Sequence, residues 1–213
     1  MSHLNIVREL AHCQSNNNPL QGGFVGMSQG RLDIMTSYFG GEDWYKGKRI
    51  LELGCCYGHV GKRMMDLGAH VTFAEGRCEW EKEIRKVAGE NIDFFCIDND
   101  REWDLKKKFD LVIHWGLHYH LKNWERDLSI AARHGDYISL EGEVIEGDDP
   151  YAIAVRTEEG PDQSIHGNGV YPTIPCMERH LATLGEFKLF HWPHPGTAGK
   201  RAYWMIKTKD TNE

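Results

Sequence analysis

Residues 49–61 read RILELGCCYGHVG. Arg49 to Leu53 is an apolar run short enough for a buried strand. The glycines at 54, 58 and 61 then punctuate a turn, and a helix begins near Gly58. In an open parallel sheet, ligands bind beyond the carboxyl ends of the strands, where strand order reverses. A glycine-marked turn at that edge lets backbone approach a ligand closely. The helix that follows points backbone N–H groups toward it. Gly61 would let the helix pack closely on the sheet. Two cysteines, Cys55 and Cys56, stand where a nucleotide-binding loop more often has glycine.

Working outward, apolar runs alternate with helical patterns. Strands are expected at 49–54, 70–76, 92–98, 109–116, 137–144, 186–192 and 202–207, with helices at about 26–39, 58–67, 78–89, 122–133 and 173–184. Continuous apolar strands alternating with helices predict an α/β parallel sheet covered on both faces. No helical pattern separates the last two strands, so that pair is expected to be antiparallel. The stretch 143–172, rich in Gly, Asp, Glu and Pro, reads as one long irregular loop, and such loops usually carry function.

The chain has 213 residues, 40% of them hydrophobic, which suits a single domain with a substantial core. The expected division is N-terminal helices over 1–44, a binding core over 45–141, a substrate loop or lid over 142–172, and a last helix with a terminal strand pair over 173–213. Met1–Gln14 reads as a short amphipathic helix without the features of a signal peptide. No apolar run reaches the roughly 18 residues of a membrane span. A net charge of −7 disfavours a nucleic-acid partner. The six cysteines form no CxxC pair and no zinc-finger spacing, so they read as reduced thiols of a cytoplasmic protein.

The register E-L-G-C-C-Y-G of residues 52–58 resembles the E/D-x-G-x-G-x-G motif of class I S-adenosylmethionine-dependent methyltransferases, with Cys56 at the middle glycine. Three later strand ends add to the resemblance. VTFAEG places Glu75 where the family holds the ribose hydroxyls, with Gly76 beside it. FFCIDND places Asp98 where the family meets the adenine amino group. FDLVIHWGLHYHL, from Phe109 to Leu121, resembles the family's FDLV…G(V/L)LYHL segment through Gly116, Tyr119, His120 and Leu121, with His118 replacing a leucine.

The resemblance implies a three-layer Rossmann-like fold with a seven-stranded, mostly parallel sheet and an antiparallel last strand. It implies S-adenosyl-L-methionine as donor, leaving S-adenosyl-L-homocysteine, and a cofactor site drawn from Glu52, Gly54, Cys55, Cys56, Gly58, Glu75, Gly76, Asp98, His114 and Gly116. A small polar acceptor is expected, with O-methylation of a sugar or hydroxylated metabolite as the outcome. Arg31, Glu141, Tyr151 and His166 are expected on the acceptor side. His118 or His120 is expected to take the acceptor's proton, since histidine titrates near neutrality. His114, His118 and His120 also invite a metal, but no carboxylate stands at matching spacing, so none is expected. Three rivals remain. A nicotinamide dehydrogenase would need GxGxxG. A transfer-RNA methyltransferase would need a basic face. A non-catalytic binding relative is kept open by Cys56.

Overall fold

A computed structural model describes residues 21–160, 163–190 and 200–209. The helix expected over Met1–Gln14 lies outside the described residues. The chain divides into two compact units, Met1–Gly41 and Glu42–Glu213. In the first, α1 (Gln21–Tyr38) buries Ser28, Arg31, Leu32 and Met35. Those positions are spaced i, i+3, i+4 and i+7, one stripe of a helix.

The second unit is built on a seven-stranded sheet. Five of its strands are β1 (Arg49–Leu53), β2 (His70–Glu75), β3 (Asp93–Cys96), β4 (Leu111–Trp115) and β5 (Tyr137–Val144), all parallel. A separate pair, β6 (Ile153–Thr157) and β7 (Asn168–Pro172), follows β5 in the chain. The sheet is completed by β8 (Gly185–Phe190) at its edge and β9 (Lys200–Thr208), which runs antiparallel between β8 and β5. The expected antiparallel final pair is therefore present. The strand order is β3-β2-β1-β4-β5-β9-β8. It reverses between β1 and β4, the place where an open sheet leaves a crevice at its carboxyl edge.

Strands β1 and β4 are buried along nearly their whole length, as continuous apolar runs require. Leu51, Leu53, Val112, Ile138 and Leu140 pack with Leu128, Ala131, Met177 and Leu181 into one core. Four helices follow α1 in this unit: α2 (His59–Asp66), α3 (Glu81–Ala88), α4 (Trp124–His134) and α5 (Ile174–Leu184). The helical partners in that core come from α4 and α5. On the other face, α2 lies on β1 and β2 and is itself packed by α3. Gly61 makes that contact possible, because a Cβ there would sit 2.3 Å from the Phe73 ring. Thr173 caps α5, its Oγ1 accepting from the Cys176 N–H at 3.1 Å.

Two expectations need correction. The stretch 143–172 is not one irregular loop, because β6 and β7 pair within it as an antiparallel hairpin. β6 is mostly exposed on both faces, so it carries no alternating pattern to read. Nor are all six cysteines thiols, since Cys78 is joined to Cys96. The β2–β3 register sets Cys96 beside Glu75, and the turn after β2 brings Cys78 back to it. The Cα atoms are 5.2 Å apart, within the range a disulfide spans. Sequence spacing does not reveal a pair made by strand register.

Candidate functional site

The β1–α2 turn uses three residues with positive φ: Gly54 (60°), Cys56 (52°) and Gly58 (76°). Two are glycines, for which this region is open. Cys56 is not, and holds a backbone that L side chains adopt at a cost. Two carboxylates fix the turn. Glu52 Oε2 accepts the Gly61 N–H at 2.9 Å, tying β1 to the first turn of α2. Burial, with the nearby Glu75 charge, pushes the Glu52 carboxyl up to about 8 against the lowering effect of that bond. Glu75 Oε2 accepts the Cys56 N–H at 2.9 Å and its Oε1 the Arg77 N–H at 3.0 Å. Burial raises the Glu75 carboxyl, and these N–H groups oppose the rise. A carboxylate offers about four acceptor positions, so each Glu75 oxygen keeps capacity for a ribose hydroxyl.

Cys55 is buried inside the turn, its N–H on the Ala74 carbonyl, and burial drives its thiol well above the ordinary range. Gly54 faces Leu117, whose Cδ1 would lie 3.1 Å from a Cβ at 54. Gly116, at φ 66°, donates its N–H to the Glu141 carbonyl at 2.8 Å. At the end of β3, Asp98 accepts from the Asp100 N–H and from Arg101, both at 3.0 Å. His166 Nε2 lies 3.1 and 3.2 Å from its two oxygens. Asp98, Asp100 and His166 stand close enough to gather a metal. Their lone pairs are largely engaged, however, with Asp100 Oδ1 on the Asn123 N–H at 2.8 Å.

The three histidines have separate fates. His114 is fully buried, and its Nε2 lies 2.7 Å from Asp127, which also accepts from Asn99 and Trp103. That network sits in the core under α4. His118 is also fully buried, with Nε2 3.1 Å from the Glu143 carbonyl. Burial, helped by nearby His114, holds its imidazole well below the ordinary pKa, so it stays neutral at pH 7. It fits because residue 142 is glycine: a Cβ there would be 2.3 Å from His118 Cε1. His120 alone is partly open, its side chain 17% exposed, with Nδ1 2.6 Å from Glu158 Oε2.

Glu158 is a residue that sequence reasoning missed. It follows β6, is 4% exposed, and also accepts from the Ser164 N–H at 2.8 Å and from the Tyr171 hydroxyl. The stretch RTEEGPDQS offers no spacing that marks it. Burial would raise its carboxyl, but the bonds from His120 and Tyr171 hold it below the ordinary range. Tyr119 packs between His120 and Tyr171, with Arg201 over its ring. Arg201 grips Glu141 in two contacts, at 2.5 and 3.1 Å, and Glu143 at 3.1 Å.

Of the residues expected on the acceptor side, Glu141 is thus buried on Arg201. Tyr151 is 73% exposed beneath the Arg179 guanidinium of α5. His166 meets Asp98 at the end of β3, and Arg31 lies buried on α1 in the first unit.

A family profile described as a methyltransferase domain matches residues 34–151, more than half of the chain. The protein belongs to that methyltransferase family. No curated protein matches it in sequence. Solved structures share its fold. The N-terminal domain of EvdMO1 with S-adenosylhomocysteine bound matches at a TM-score of 0.69 and 20% identity, over 98% of each chain. The same domain in the presence of S-adenosylhomocysteine and D-fucose matches at 0.70 and 21%, over 85% of this chain and 83% of that one. Magnesium protoporphyrin IX methyltransferase from Synechocystis PCC 6803, with S-adenosylmethionine bound, matches at 0.61 and 15%, over 90% and 85%. The methyltransferase domain implies a methyl donor, and S-adenosylhomocysteine and S-adenosylmethionine are what the EvdMO1 domain and the Synechocystis enzyme hold in those structures. The turn after β1 and the acceptor capacity left on Glu75 fit such a donor. Among the described residues, no helix is long and apolar enough to cross a membrane.

Proposed function

We propose that this methyltransferase O-methylates a small polar acceptor, a sugar or hydroxylated metabolite, with His120 as the base. The observation that carries this reading is the His120–Glu158 pair. A carboxylate at 2.6 Å from Nδ1 favours the tautomer with the proton on Nδ1. That leaves Nε2 as an acceptor for a hydroxyl proton. The donor supplies a methyl group already activated by its sulfonium. The chain therefore has to align the acceptor, exclude water and receive one proton. Tyr119 packs on the histidine and links it to Tyr171, Arg201 and Glu143, a polar neighbourhood that suits an acceptor bearing several hydroxyls. The EvdMO1 structure determined in the presence of D-fucose is in keeping with a sugar-like acceptor.

A panel of sugars and hydroxylated metabolites should be screened for S-adenosylhomocysteine release. With an acceptor in hand, His120→Gln should lower kcat about 10²–10⁴-fold, the usual contribution of a general base. Its affinity for S-adenosylhomocysteine should stay within about twofold of wild type. Wild-type turnover in His120→Gln would remove it as the base. Release only with transfer RNA would replace the small acceptor.

A further inference from the structure

The connection between β6 and β7 does not stay on the acceptor side. From Glu158, which holds His120, it runs to the carboxyl edge of β2 and β3. Three contacts fasten it there. The Arg77 guanidinium donates to the Gln163 carbonyl at 2.6 Å. His166 Nε2 reaches both oxygens of Asp98. Between them Ile165 lies against Gly76: a Cβ built at 76 would stand 2.3 Å from Ile165 Cδ1 and 3.3 Å from the Ile97 carbonyl. Gly76 directly follows Glu75, so the side chain absent from position 76 is replaced in space by one from position 165. Ile165 is nonetheless 49% exposed, an apolar surface left open at this edge.

The crevice of the sheet opens between β1 and β4, and Glu75 stands one strand further, at the end of β2. A donor whose ribose is held by Glu75 must lay its base outward, across the ends of β2 and β3. We infer that Ile165 is a donor-binding residue: it forms the outer wall of the adenine subsite, matched to Gly76, while His166 orients Asp98. The inference rests on Glu75 holding the ribose. The segment Gln163–His166 then belongs to the donor subsite, and a single connection reaches both the base of the reaction and the wall that holds the cofactor. An adenine ring is flat and apolar on its faces, which suits the open surface of an isoleucine. Its amino group needs one acceptor position, and Asp98, which meets the Asp100 N–H, Arg101 and His166, keeps about one of the four that a carboxylate offers.

S-adenosylhomocysteine and 5′-methylthioadenosine, titrated calorimetrically, are sufficient probes, and no acceptor is required. Ile165→Gly should weaken both about tenfold, the loss expected when an isoleucine wall of this size is removed. Methylthioadenosine lacks the amino-acid end, so an equal loss for both probes locates the effect at the adenosine half. Gly76→Ala should weaken binding by displacing Ile165. Gly76→Ala combined with Ile165→Gly should bind better than the product of the two single losses predicts, because the new methyl refills part of the wall. Unchanged affinity in Ile165→Gly, or strictly multiplicative losses in the pair, overturns the assignment while Glu75→Ala still loses affinity. Unchanged affinity in Glu75→Ala as well overturns the underlying donor pose instead.

Discussion

Glu158 and His120 lie 38 residues apart in sequence, yet the carboxylate meets the imidazole Nδ1 at 2.6 Å. The contact joins the β6–β7 connection to the short 3-10 turn after β4, which carries His118–His120. Glu158 serves at the same time as acceptor for Ser164 and Tyr171. One buried carboxylate thus fixes both the hairpin and the His120 ring.

Glu158→Gln should separate those two duties. Glutamine can still accept from Tyr171 or Ser164, so the hairpin should hold its place. It does not impose the Nδ1–H tautomer as a carboxylate does. Turnover of an identified acceptor should fall about tenfold or more with little change in KM. The nitrogen-15 pattern of His120 should shift from one tautomer to a mixture. A tautomer pattern identical to wild type would show that Glu158 only packs.

Glu52 predicts a pH dependence of stability. Its carboxyl is raised from 4.5 to about 8 in the fold. Between those values the folded state therefore binds more protons than the unfolded state. Stability from this group is present in full below the unfolded value of 4.5 and is lost as pH rises toward about 8. Glu52→Gln keeps an oxygen for the Gly61 N–H and removes the titration. Chemical denaturation at about pH 5 and about pH 8.5 should show the variant gaining on wild type by a few kcal/mol at the higher pH, since each tenfold difference in proton affinity between folded and unfolded states is worth about 1.36 kcal/mol. A difference that does not change with pH would contradict the burial of this carboxylate.

The sheet was legible because its central strands are continuous apolar runs, and the glycine turn was legible because Gly54 and Gly58 need positive φ. Glu75 and Asp98 stand out in the sequence because one ends β2 and the other lies two residues beyond β3. The surroundings of His120 were not legible. β6 is exposed, so it has no period to read, and Glu158 acquires its role only when the hairpin folds back over the β4 exit. His114 and His118 look like functional residues in sequence but are buried, because burial on Asp127 and against Gly142 is a tertiary fact. The Cys78–Cys96 bridge likewise depends on strand register.

Cys56 holds φ at 52° without being glycine. That conformation costs an L side chain about 1–2 kcal/mol, and glycine's extra freedom when unfolded returns roughly 0.5–1. Cys56→Gly should therefore stabilise the fold by up to about 1 kcal/mol and preserve donor affinity. Cys56→Val, whose branched Cβ tolerates this region less well, should destabilise. The Cys56 N–H bond to Glu75 depends on the same backbone, so Cys56→Val should also weaken S-adenosylhomocysteine binding. Melting and calorimetry on the two variants check both signs; a Cys56→Val protein as stable as wild type would refute the strained turn.

The buried Arg201–Glu141 pair tests what holds the exit of β5. Both Glu141 oxygens meet Arg201, and the Glu141 and Arg201 side chains are 1% and 5% exposed. Two charges taken out of water together are tolerated; one left alone is not. Arg201→Ala should cost about 3–5 kcal/mol, because it strands the Glu141 carboxylate and leaves Glu143 and the Tyr119 hydroxyl without their guanidinium. Replacing both members, Arg201→Met with Glu141→Gln, should cost clearly less than Arg201→Ala, since no fully buried charge is then stranded; Glu143 also loses Arg201 but is 28% exposed and keeps Arg156 at 3.9 Å. The double variant also separates support from chemistry. It keeps His120 on Glu158 and should retain donor affinity, so calorimetry with S-adenosylhomocysteine beside urea denaturation reads both quantities. If Arg201→Ala cost no more than the double replacement, the pair would be solvated, and its burial where β5 pairs with β9 would be refuted.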